Sequence, residues 1–81
     1  MKKEIIISTI IRKLVYLNKW GNNHTSFDNL PKGFPKEVRK EVKKVAKQLI
    51  KKGILITKQT SYGLEVSLNP NKKKEIEDIF K

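Results

Sequence analysis

From Pro35 to Gly53 the chain spells one uninterrupted amphipathic helix, and the rest of the sequence has to fold around it. Val38, Val42, Val45, Ala46, Leu49 and Ile50 recur at three- and four-residue spacing, which puts them on one stripe. Pro35 suits the first helical position, because no amide proton is wasted there. Gly53 suits the residue beyond the last turn, and Lys51 and Lys52 lie where the helix dipole favours cations. The pattern predicts a helix over residues 35–52. With each residue turning about 100°, the side opposite the stripe carries Lys36, Lys40, Lys44, Lys47 and Lys51. Arg39 and Lys43 fall on one flank, and Glu37, Glu41 and Gln48 on the other.

Three further segments supply apolar surface to meet that stripe. Ile6, Ile7, Ile10, Ile11, Leu14 and Leu17 have helical spacing and predict a first helix over 3–18, ended by Trp20-Gly21. Ile5 and Tyr16 fall off this stripe, as scattered surface residues often do. Thr25-Ser26-Phe27-Asp28 matches a capping pattern in which a hydroxyl and a nearby acid satisfy free amides. A short second helix is therefore expected over 26–31, burying Phe27 and Leu30 and cut short because Pro31 disfavours a helical Leu30. Ile54 to Lys58 and Leu64 to Leu68 read as two strands of a hairpin over 54–68, with a turn at Gln59-Thr60-Ser61. Asn69-Pro70 opens a C-terminal helix over 70–80, with Ile76, Ile79 and Phe80 on one side.

Composition narrows what such a chain does. Eighty-one residues make one small domain, 1–81, that has little room for a deep catalytic cleft beside its core. Nineteen Lys and Arg against eight Asp and Glu give a net charge of +11, which attracts polyanions. Enrichment in Lys for thermal stability would raise Glu as well, and here it has not. There is no cysteine, which excludes disulfides, cysteine zinc sites and thiol catalysis, and suits an intracellular protein. Glu4, Ser8, Arg12 and Lys13 interrupt the apolar N-terminal run, so neither a signal peptide nor a membrane span is expected and the chain reads as cytoplasmic. His24 stands alone in a polar loop, too few ligands for a metal. Gly21, Gly33, Gly53 and Gly63 are isolated and build no phosphate loop. No enzyme, no cofactor and no metal site are expected.

The charge on the long helix is the candidate functional feature. Any surface helix needs a polar outer face, and lysine is a good helix former. Yet between Lys36 and Lys52 eight cations face only two acids, Glu37 and Glu41. Their mutual repulsion is a cost that a polyanion relieves, as on nucleic-acid-binding helices.

Taken in order, Thr25 through Leu68 give a short helix, a turn containing Gly33, a long basic helix and a hairpin. This order resembles the winged helix-turn-helix family. Leu30-Pro31-Lys32-Gly33-Phe34-Pro35 and Lys51-Lys52-Gly53-Ile54-Leu55-Ile56 are also similar to segments of small Lys- and Ile-rich winged-helix proteins of archaea. The resemblance implies an α+β fold of three helices, a two-stranded hairpin wing and a C-terminal helix. It implies that the helix beginning at Pro35 is the recognition helix, set into the major groove of duplex DNA. Lys36, Arg39, Lys40 and Lys43 would then lie nearest the bases, with Lys44 and Lys47 adding phosphate contacts. Lys58, Ser61 and Tyr62, at the wing, would touch the adjacent backbone or minor groove. The short second helix and the single wing cation depart from the usual pattern.

Only Arg12 and Arg39 are arginines, and lysine acts mainly as a point charge on phosphate, so affinity is expected to be electrostatic with little sequence discrimination. The function expected is that of a transcriptional regulator or a nucleoid-associated chromatin factor. The alternatives are a protein docking module that uses the same basic face, and an RNA-binding module, for which the usual aromatic platform is missing. The C-terminal helix, through Ile76, Ile79 and Phe80, either completes the core or forms a homodimer seam with the first helix.

Overall fold

The computed structural model describes residues 1–80, and of Phe80 the backbone alone, so what was expected of the Phe80 side chain lies outside the described residues. The fold is α+β. Helix α1 (Lys3–Tyr16) buries Ile6, Ile10, Ile11 and Leu14 of the predicted stripe, while Ile7 is half-buried and Leu17, past the helix end, is exposed. It ends two residues earlier than expected, and Asn18 rather than Gly21 ends it. Asn18 adopts φ 57°, and its amide donates to the Val15 carbonyl while the Lys19 amide donates to Leu14 (3.0 and 2.9 Å). That pair of bonds is a helix-closing motif that needs one residue in the left-handed region, and Asn tolerates it.

A strand the sequence did not announce follows. β1 (Thr25–Ser26) pairs antiparallel with β3, so the expected two-stranded hairpin is one part of a three-stranded sheet. Strand β2 (Leu55–Thr60) and strand β3 (Gly63–Leu68) form the hairpin, and the strand order is β1-β3-β2. Leu55 stands opposite Leu68 and Thr60 opposite Gly63, which leaves Ser61 and Tyr62 as the turn. The turn thus lies later than Gln59-Thr60-Ser61. The Thr60 hydroxyl fixes it there, accepting from the Tyr62 amide (3.2 Å) and donating to the Gly63 carbonyl (2.9 Å). Gly63 supplies the φ of 118° that such a tight reversal needs.

The second helix is a 3-10 segment, Phe27–Gly33, with Pro31 inside it. Ser26 caps it, its hydroxyl accepting from the Asp28 amide (3.3 Å). Proline does not terminate this element, as it would an α-helix. The tighter winding survives Pro31, whose carbonyl accepts from the Phe34 amide (2.9 Å). The long helix also starts differently. Pro35 stands before the first turn with ψ 146°, a 3-10 turn spans Lys36–Val38, and α2 proper runs Arg39–Lys51. At the C-terminus Asn69 caps a 3-10 turn (Pro70–Lys72) that leads into α3 (Lys73–Phe80), so the first turn of the expected helix is 3-10.

Val42, Val45, Ala46 and Leu49 of α2 close on the α1 stripe, while Leu55, Val66 and Leu68 of the sheet and Ile76 of α3 seal the core. Phe27, Leu30 and Phe34 plug its open side. The chain leaving α1 is stitched to the end of β3: the Leu68 amide donates to Lys19, the Gly21 amide to Leu68, and the Ser67 hydroxyl to the Gly21 carbonyl. No helix among the described residues is long and apolar enough to cross a membrane.

Candidate nucleic-acid interface

With the apolar side of α2 committed to the core, its lysines have only one place to go. Lys36, Lys40, Lys44, Lys47 and Lys51 are all exposed, and the last four lie on the side of α2 opposite Val42. Lys36 stands in the 3-10 turn that precedes α2, and at 1.5 Å of rise per residue the thirteen residues of α2 carry the other four along about 20 Å. Glu37 and Glu41 are exposed too, yet neither comes within ion-pair distance of a cation. Among the described residues the ion pairs are His24–Glu65, Lys43–Asp28 and Lys72–Glu75, so none of these carboxylates pairs with the row of five, although Glu37 and Glu41 line one surface recess with Lys40, Lys44 and Lys47.

The flank residues are different. Lys43 Nζ lies 4.0 Å from Asp28 Oδ1, a loose pair between two exposed groups of the kind worth little in water. Arg39 is turned back onto the loop that precedes it. Its Nε donates to the Phe34 carbonyl (3.1 Å) and its Nη2 to that of Lys32 (3.5 Å). This grip ties the first turn of α2 to the end of the Phe27–Gly33 segment. It leaves the outward row without a guanidinium.

Lys58, Ser61 and Tyr62 are exposed as well, and Tyr62 is 96% open to solvent at the tip of the hairpin. Lys58 stands opposite Glu65 in the register, on the sheet face turned from the core. Glu65 is engaged there by His24, whose Nδ1 lies 3.0 Å from its Oε1. His24, a lone loop residue in the sequence, is thus half-buried and braces the loop against β3. Among the described residues no group of three His, Asp or Glu side chains is placed to hold a metal ion.

No family model, curated protein or solved structure matches this chain. The functional reading therefore rests on the geometry alone. The lysine row was visible in the sequence, because helical spacing fixes which residues share a face. The Arg39 grip was not, because its acceptors are backbone carbonyls that any residue would offer.

Proposed function

We propose that this chain is a winged-helix protein that binds duplex DNA through the outer face of α2. One observation carries the reading: Lys36, Lys40, Lys44, Lys47 and Lys51 form an exposed row with no carboxylate within ion-pair distance among the described residues. A duplex presents one charge per about 1.7 Å of axis, so about 20 Å of helix faces roughly a dozen phosphates. The order of elements supports the fold part of the reading. Helix α1, a short strand, a 3-10 helix, α2 and a hairpin, with sheet order β1-β3-β2, is an order compatible with a winged helix-turn-helix domain. The exposed tip at Ser61 and Tyr62 is the wing.

The chemistry of the row narrows the role. Lysine neutralises phosphate without the bidentate fork that reads guanine. With Arg39 holding a turn, the protein acts as a chromatin-associated factor that coats DNA with little regard to sequence, rather than as a selective regulator. Arg39 is a positioning residue that sets the start of α2.

The test is an anisotropy titration against duplex DNA, single strands and duplex RNA at two salt concentrations, with a Lys40→Glu, Lys44→Glu, Lys47→Glu triple variant alongside. Duplex DNA should bind the parent most tightly and the triple variant not at all, while circular dichroism stays helical. Survival of binding in the triple variant would show that the face is wrong. Preference for RNA would make it an RNA module, and no binding even at low salt would leave a docking surface for an acidic protein.

A further inference from the structure

A recess of about 270 Å³ lies between the last turns of α1 and the Phe27–Gly33 segment, away from the outward row of α2. Its walls carry Lys13, Thr25, Asn29 and Lys32, and Leu17 and Leu30 give it an apolar side. None of the residues lining it is acidic. We infer that this recess is a binding site for a small amphiphilic organic anion, a carboxylate with a short hydrocarbon tail.

Lys13 is the residue that asks for such a ligand. Lysine is seldom taken out of water without a partner, yet Lys13 is half-buried. Its ammonium makes one long bond, to the Asn29 carbonyl at 3.4 Å, and lies under Gly33. An ammonium has three donors, so two remain for whatever enters the recess. Lys32, exposed at the rim, adds a second cation with no carboxylate partner among the described residues. Asn29 donates to the Thr25 hydroxyl (3.1 Å), which fixes the polar wall in place.

The apolar side gives the second half of the specificity. Leu17 is 43% exposed and shares the recess with the buried Leu14 and Leu30, an area that a hydrocarbon tail would cover. The recess holds the volume of about nine waters at ~30 Å³ each, which suits a carboxylate of six to eight carbons and is too small for a nucleotide. A bare inorganic anion would find lysines anywhere on this surface, and the tail is what makes this site different. The site stands independently of what α2 binds.

The experiment is calorimetric titration of the full chain with acetate, butyrate, hexanoate and benzoate, with 1-hexanol as the uncharged control, at high constant chloride. Hexanoate and benzoate should bind one to one. Affinity should rise about fourfold per methylene from acetate to hexanoate, the increment of burying that group. Lys32→Ala should weaken hexanoate about tenfold, the scale of one lost charge-assisted bond, and Lys13→Met at least as much. Lys44→Ala, on α2, should bind as the parent. Lys13 braces the 3-10 segment and its variant risks the fold, so Lys32→Ala, at an exposed position, carries the decision. Amide shifts on binding should centre on Leu17, Thr25 and Asn29. Hexanoate no tighter than acetate, hexanol as tight as hexanoate, or Lys32→Ala indistinguishable from the parent would overturn the site.

Discussion

Asn18 holds α1 closed in a conformation that most side chains resist, since a left-handed residue with a Cβ costs roughly 1–2 kcal/mol. Asn18→Gly should keep or raise stability, and Asn18→Val should lower it by about 1–2 kcal/mol because branching adds to that clash. Urea unfolding of both variants measures the difference, and equal midpoints would mean that the turn relaxes freely. Arg39 makes a different kind of case at the same scale. A residue on phosphate steepens the salt dependence of binding, and one that grips its own loop does not. Lys44→Ala should therefore flatten the slope of log affinity against log salt by about 1, and Arg39→Ala should leave the slope where it was. A flattened slope for Arg39→Ala would move its guanidinium from the loop to the nucleic acid.

Of the three α-helices, α3 buries the fewest described side chains. Among its described side chains Ile76 is the one wholly inside the core, with Ile79 half-buried beside it. Ile76→Ala should cost about 2–5 kcal/mol, a large share of the roughly 5–15 kcal/mol that holds a small domain together. Hydrogen exchange should show α3 amides losing protection before those of α2, and uniform loss would make α3 part of the same cooperative unit. α1 and α2 were legible from their sequence because fourteen and thirteen residues repeat the 3.6-residue period several times. β1 was not, because two residues carry no period, and Thr25-Ser26 satisfies a capping pattern equally well. The persistence of the Phe27–Gly33 segment through Pro31 was hidden for a related reason: a rule about α-helices does not bind a 3-10 turn. At the candidate interface the row of five lysines followed from spacing alone, whereas the carbonyl acceptors of Arg39 and the half-burial of Lys13 arise from packing that no local pattern encodes.

For the molecule as a whole, charge sets the terms. Its extents are 33 × 31 × 22 Å, so at low salt, where screening acts over about 30 Å, every cation feels nearly all the others. Raising salt from about 0.01 M to about 1 M cuts that range to about 3 Å and should raise the thermal midpoint of the free protein. The same change should weaken binding to duplex DNA, with a slope near −4 to −5 if about five lysines neutralise phosphates. Opposite responses to one variable are a stringent check, read by thermal scans and titrations in matched buffers. A midpoint that falls with salt would mean that ion pairs, not repulsion, dominate the fold. Strand β2 adds a practical corollary. It pairs with β3 on one side only, so its other margin keeps backbone donors and acceptors unspent, with Lys58 as its single charge. The net charge of +11 opposes contact between copies, and a solution that cancels this repulsion would favour margins joining and the protein coming out of solution.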